Sequence, residues 1–281
     1  MYSLRTHKKF EMIDVCFFAD EVSRDDFEEA IKLGNEAGAT TVEIRGGVWG
    51  KHVTEIDNDD VKRAQDVLSK YNVSVASIGS PFGKCPIDNQ QEYERHLRHF
   101  DRMVELAHAF DTPIIRGFAF WNPNRRLKES SRPDINDYLE QIAEKLSPVV
   151  PIAESENVIL AFENEDATLA GSCEETRAVI DALGNSQALA SCWDVNNGIH
   201  CGERPLPDGY SHIKGLVQHV HVKPNREKNL DPIQDTDLRY EQLLKTLIND
   251  GFEGAASIEH WGNPQQMLDG VRQLRAVVDA M

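Results

Sequence analysis

Eight short apolar runs recur along this chain at intervals of roughly 30 to 40 residues. They fall near 13–18 (IDVCFF), 41–45 (TVEIR), 73–79 (VSVASIG), 113–118 (PIIRGF), 157–163 (NVILAFE), 188–194 (ALASCWD), 216–222 (LVQHVHV) and 254–259 (GAASIE). Runs that are apolar at nearly every position read as strands buried on both faces, the mark of a parallel sheet. Parallel strands need crossover connections, and helical patterns fill most of the gaps. Eight strand–helix units define a (β/α)8 barrel, a fold that takes about 250 residues. The 281 residues therefore fit one α/β barrel domain over 1–281.

The last four runs share a second property. Glu163, Asp194, His221 and Glu259 stand at or near their C-terminal ends. That end of a barrel strand opens on the top face, where barrel enzymes build their sites. Three carboxylates and an imidazole brought together there would hold one divalent cation. Hard oxygens with one imidazole suit Mn2+ first, with Mg2+, Co2+ or Zn2+ as alternatives. Such a cation would polarise a substrate carbonyl and stabilise charge developing on its oxygen. His219 and His221 share one face of their strand, because side chains alternate with period two. His221 lies nearer the C-terminal end; His219 reads as a core histidine, a partner behind the ligand, or a substrate contact. Asp194 also reads as the N-cap of whatever follows it.

Composition removes several classes. Thirty basic residues against 47 acidic ones leave a net charge of −17. Nucleic-acid binding needs clustered Lys and Arg, so no such partner is expected. No stretch approaches the roughly 18 to 20 apolar residues of a membrane span. The basic start MYSLRTHKKFEM lacks a long apolar segment behind it, and the expected location is the cytoplasm. Five cysteines with no CxxC pair fit reduced thiols.

Helix signals are clear in places. Ser23 ahead of Asp25 and Asp26 predicts a capped start. An apolar stripe at Val61, Ala64, Val67 and Leu68 predicts a helix over 57–70. Ser172 and Glu175 form a capping box for 172–183. Long helices are expected at about 89–110, 134–155 and 264–280. The stretch 195–215 is rich in Gly and Pro and leaves room only for a short helix. The segment 121–133 (WNPNRRLKESSRP) is the most loop-like and follows the fourth strand, where it would lie over the top face.

The pieces FENE (162–165), WDVNNGIHCGERP (193–205), VQHVHVKP (217–224) and SIEHW (257–261) resemble the xylose isomerase-like barrel superfamily of sugar phosphate isomerases and epimerases. The resemblance covers nearly the whole chain. It implies Glu163, Asp194, His221 and Glu259 as metal ligands. It further implies that Glu163 and Glu259 take and return a proton from opposite faces of a ketose, keto-sugar or sugar phosphate, through an enediolate. Asn197 stands three residues after Asp194, where several epimerases carry a substrate-contacting His.

Further substrate contacts are expected from Lys223, Arg116, His52 and Lys84. Arg116 lies inside an apolar strand, and a buried guanidinium needs a paired acid, for which Glu165 or Glu43 is available. Glu43 and Arg45 end the second strand. Trp49, Phe82, Phe118, Trp121 and Trp261 are candidate aromatic walls, although a core role suits any one of them. His200 is an extra histidine, but a three-zinc endonuclease site would need more of them. An alternative reaction with the same site is a lyase or dehydratase acting on a keto-inositol or a 3-keto-glycoside. A further alternative is a barrel that binds without catalysing. A homo-oligomer is compatible with the resemblance.

Overall fold

The computed structural model describes residues 13–126 and 132–281. Its strands are β1 Asp14–Phe17, β2 Thr41–Ile44, β3 Ser74–Ile78, β4 Ile114–Gly117, β5 Ile159–Glu163, β6 Leu189–Asp194, β7 Val217–Val222 and β8 Ala255–Ile258. The pairings between these strands are parallel, and the sheet runs β1-β8-β7-β6-β5-β4-β3-β2. The ring is drawn together between β1 and β2 by a bridge of Phe18 with Glu43 and by Thr40 N donating to Val15 O at 3.0 Å. The expected (β/α)8 barrel is present, and each of the eight apolar runs contains one strand. Run ends fall outside the ladders because the outermost residues turn away into the loops.

The helices are α1 Ala19–Val22, α2 Phe27–Glu36, α3 Asn58–Tyr71, α4 Gln90–Ala109, α5 Leu139–Leu146, α6 Val150–Glu156, α7 Cys173–Ala182, α8 Val195–His200, α9 Tyr210–Ile213, α10 Tyr240–Asn249 and α11 Pro264–Asp279. Apolar stripes on the longer helices pack against the strands. Gly34 on α2 shows how closely: a Cβ there would stand 2.1 Å from Phe17 Cζ of β1. The Ser172–Glu175 capping box forms as the sequence indicates.

Three expectations need correction. The single helix over 134–155 is broken into α5 and α6 by a 3-10 turn at Ser147–Val149. Pro148 and Pro151 cause the break, since each lacks an N–H and crowds the preceding turn. The N-cap of α2 is Asp26, which accepts from Glu29 N at 3.1 Å; Ser23 Oγ instead accepts from Asp26 N at 3.1 Å. The stretch 195–215 holds α8, a helical turn at Pro205–Gly209 and α9, rather than one short helix.

The 121–133 loop is tied down at both described ends. Asn122 N donates to Ala167 O at 2.9 Å, and Arg132 pairs with Glu175 at 2.8 Å. Its middle, 127–131, and the basic start, 1–12, lie outside the described residues. Among the described residues no helix is long and apolar enough to cross a membrane.

Inside the barrel, small side chains leave room for large polar ones. Ile114, Ala161, Ala190 and Cys192 form a separate small cluster. They lie at positions alternate to Arg116, Glu163 and Asp194, and so on the same interior face.

Candidate metal centre

The ends of β5 to β8 converge. Asp194 ends β6 and serves twice. Its Oδ1 accepts from Asn197 N at 2.9 Å, capping α8, so the N-cap reading holds. Its Oδ2 faces Lys223 Nζ and His221 Nδ1. The backbone of Asp194 is clamped by Asn164, whose Oδ1 accepts from Asp194 N at 2.8 Å and whose Nδ2 donates to Asp194 O at 2.7 Å. An amide side chain can do both at once, which a carboxylate cannot. This clamp ties the top of β5 to the top of β6, and its role is not legible from FENE alone.

Glu163, Asp194, His221 and Glu259 are all buried and offer ligand atoms within 4.8 Å of one another. His221 Nδ1 lies 3.4 Å from Glu163 Oε1, 3.4 Å from Glu259 Oε2 and 3.9 Å from Asp194 Oδ2. Although buried, His221 Nδ1 and Glu259 Oε2 have no hydrogen-bond partner. Orphaned buried polar atoms are costly and call for an explanation. Here they point at one another across a gap lined by three carboxylates. This donor set fits a hard divalent cation, and the four residues could hold one.

Each glutamate divides its oxygens. Glu163 turns Oε1 toward His221 and Oε2 toward Arg116 Nη1 at 3.3 Å. Glu259 turns Oε2 toward His221, while Oε1 meets Arg45 Nη1 at 3.0 Å and His260 Nε2 at 3.3 Å. Burial alone would raise both carboxyls. For Glu163 the charges of His221 and Arg116 outweigh burial and hold the group down to about 2. For Glu259 the charges of Lys223, His221 and His260 outweigh burial and keep it below the usual carboxylate range. Both glutamates are thus held ionised. Lys223 Nζ sits 2.5 Å from Asp194 Oδ2 and 3.1 Å from Asn197 Oδ1. Burial would lower this ammonium, but Asp194 holds it well above its ordinary value.

Above the cluster lies a cavity of about 250 Å3, whose walls include Arg45, His52, Lys84, Arg116, Glu163, Glu165, Glu259 and His260. Of the six expected substrate contacts, His52, Lys84 and Arg116 line it. Lys223 and Asn197 stand beside Asp194 instead. His219 is fully buried, with Nε2 at 2.9 Å from Glu43 Oε2 and 2.8 Å from Ser257 Oγ. Arg116 finds its acids in Glu163 and, at 3.6 Å, Glu43. Glu165 pairs with Lys84 at 2.8 Å rather than with Arg116. His52 Nδ1 accepts from Thr54 N at 3.3 Å, and burial lowers this imidazole below its ordinary value. A neutral ring with Nδ1 accepting carries its proton on Nε2.

None of the five aromatic candidates is on that cavity wall. Trp261 is fully buried, and its Nε1 donates to Val222 O at 3.1 Å; Phe82 packs on Phe100. The core role is the one these two fill. His200 is exposed, 3.7 Å from Asp166, and away from the cluster. Two participants were not singled out in the sequence, Glu21 and His260. His260 N donates to Glu21 Oε2 at 2.7 Å, and the residue adopts φ +61° directly after Glu259. Its place next to Glu259 in SIEHW was the available signal.

A parallel eight-stranded barrel with a buried carboxylate–imidazole cluster at its strand ends is the class of protein that fold and cluster define. The family model for the xylose isomerase-like TIM barrel matches residues 31–277, and the chain belongs to that family. Among curated protein sequences no relative matches. Solved structures resemble it throughout. A D-tagatose 3-epimerase-like protein superposes with TM-score 0.75 at 17% identity, covering 95% of this chain and 98% of the other. A xylose isomerase-like TIM barrel protein from Mycobacterium smegmatis, in complex with magnesium, gives 0.73 at 15%, covering 100% and 99%. A probable 3-DHS dehydratase from Bacillus anthracis gives 0.71 at 14%, covering 95% and 99%. At these identities the likeness is one of fold.

Proposed function

We propose that this protein is a divalent-metal-dependent isomerase or epimerase of a ketose, keto-sugar or sugar phosphate. One observation carries the proposal: Glu163, Asp194, His221 and Glu259 bring ligand atoms within 4.8 Å of one another while two of them line a cavity. That cavity, at about 250 Å3, is of a size for a single sugar ring. A bound Mn2+, or Mg2+, Co2+ or Zn2+ in its place, supplies Lewis-acid polarisation of a carbonyl.

The side chains do the rest. Glu163 and Glu259, kept ionised by neighbouring cations, serve as proton acceptors at the carbon next to the carbonyl. In isomerisation the carboxyl that took the proton would return it to the neighbouring carbon; in epimerisation the other glutamate, after taking up a proton from solvent, would deliver it to the opposite face of the same carbon. Arg116 and Arg45 back the two glutamates from their outer oxygens and fix their aim. His52 Nε2–H and Lys84 stand on the cavity wall and would bind sugar hydroxyls or a phosphate. Lys223 and Asn197 flank Asp194 and would meet substrate oxygens from that side. The D-tagatose 3-epimerase-like protein among the fold neighbours supports a sugar substrate, and the dehydratase supports the lyase as the alternative reaction.

The test is a ketose panel with Mn2+-loaded protein in deuterated water, read by NMR and mass spectrometry. Deuterium entering at a carbon next to the carbonyl, and lost in Glu259→Gln, is the expected result. Loss of water or of an aglycone without exchange would move the assignment to a lyase. No exchange and no elimination across the panel would overturn the proposal.

A further inference from the structure

We infer that Glu43 is the positioning residue of this centre: it holds the ring proton of His221 on Nε2, so that the Nδ1 lone pair faces the three carboxylates. The inference rests on the reading of His221 as a metal ligand. Glu43 belongs to β2, while His221 belongs to β7. In the ring of strands β1 and β8 stand between them, so the contact crosses the barrel interior and no ladder enforces it.

The geometry specifies the tautomer. His221 Nε2 lies 3.1 Å from Glu43 Oε2 and 3.5 Å from Cys192 Sγ. An ionised carboxylate only accepts, so Nε2 must carry the hydrogen. The ring that binds a cation has given up its second proton and keeps one N–H, on Nε2, which leaves the Nδ1 lone pair free for the cation. Nδ1 is the atom at 3.4 Å from both Glu163 and Glu259, with no hydrogen-bond partner. If the proton moved to Nδ1, the ring would present N–H where a cation must sit. A carboxylate behind a metal-binding imidazole fixes tautomer and ring orientation and raises ligand basicity.

Glu43 holds more than one ring. Its Oε2 also meets His219 Nε2 at 2.9 Å and Ser257 Oγ at 3.3 Å. Its Oε1 lies 3.6 Å from Arg116 Nη1, the guanidinium that backs Glu163. All of this is fully enclosed: Glu43, His219, His221 and Ser257 are 0% exposed. A carboxylate so deep costs more than an apolar residue of the same volume unless its charge has a use. The use on hand is to orient His221 and Arg116 together.

The experiment titrates Mn2+ into metal-stripped wild type, Glu43→Gln and Ser257→Ala. Ser257→Ala removes a hydroxyl from the same carboxylate without touching His221, so it reports what a merely structural role would do. The expected result is Mn2+ affinity about 10- to 100-fold weaker in Glu43→Gln, and close to wild type in Ser257→Ala. Nitrogen-15 NMR of the Mg2+-loaded wild type should show a slowly exchanging proton on His221 Nε2, shifted in Glu43→Gln. That wild-type spectrum decides the matter even if the variant fails to fold. Unchanged Mn2+ affinity in Glu43→Gln, or the His221 proton on Nδ1, would overturn the inference. If wild type takes no metal, the proposed function falls. The Nε2–H signal of the metal-free protein and its response to Glu43→Gln then decide the role of Glu43 alone.

Discussion

At the scale of single residues, the centre is a set of side chains each doing two things. Asp194 caps α8 with Oδ1 and offers Oδ2 to the cluster. Asparagine is as good an N-cap as aspartate but carries no charge. Asp194→Asn should therefore keep the cap and lose the metal. Wild type should gain about 2.7 kcal/mol of stability with Mn2+ at 100 times its Kd, and the variant almost none, as read by thermal unfolding with and without the ion. Lys223 offers the opposite test. Its ammonium lies 2.5 Å from Asp194 Oδ2 and 3.6 Å from Glu259 Oε2, where it competes with a cation for the same charge. Lys223→Met should bind Mn2+ more tightly than wild type in a calorimetric titration while raising KM for the sugar. Weaker Mn2+ binding would show that the lysine supports the ligands instead. The four residues that converge were legible in the sequence because each stands at or near the end of an apolar run. Glu43 behind His221, and Asn164 behind Asp194, were not. Such contacts depend on how strands are staggered around the ring, and linear spacing does not encode that.

At the scale of elements, the loops after the strands are set by a few backbone demands. Gly83, in the loop after β3, has φ +83°, and a Cβ there would stand 1.9 Å from Phe118 O. Both conditions exclude a side chain. Gly83→Ala should cost more than about 2 kcal/mol in urea unfolding. The same glycine donates its N–H to His96 Nδ1 of α4 at 3.1 Å. Burial lowers His96 from 6.5 to about 4. The unfolded chain takes up that proton at higher pH than the folded one, so this stability is intact above about pH 6.5 and is lost as pH falls toward 4. The loss between pH 7 and pH 5 should be up to about 2 kcal/mol, reduced by solvent screening. His96→Asn keeps an acceptor for Gly83 without a titrating ring and should lack that part of the acid sensitivity in urea unfolding at the two pH values. Equal pH dependence in both proteins would contradict it. Helix boundaries show what local sequence can specify. Capping boxes at Ser172 and Asp57 name their helices outright, and Pro148 and Pro151 already carried the signal that divides α5 from α6. The short helices α1 and α9 have no periodic stripe to announce them.

At the scale of the whole molecule, eight two-sided apolar runs with helices between them have few ways to bury their surface, and the barrel is one. That is why the fold was readable from one sequence, and why the ends of β5 to β8 could be expected to share a mouth. The chemistry at that mouth was readable only as a set of ligand types. The pairing of Arg116 with Glu163, of Lys84 with Glu165, and of Arg45 and His260 with Glu259 came from the closed ring. The central claim is that one buried quartet forms one divalent-cation site. The most direct measurement is a calorimetric titration of Mn2+ into the metal-stripped full chain, beside Glu163→Gln. Binding of about one ion per chain, abolished or greatly weakened in the variant, is the expected result. No binding by wild type, or equal binding by both proteins, would contradict the claim.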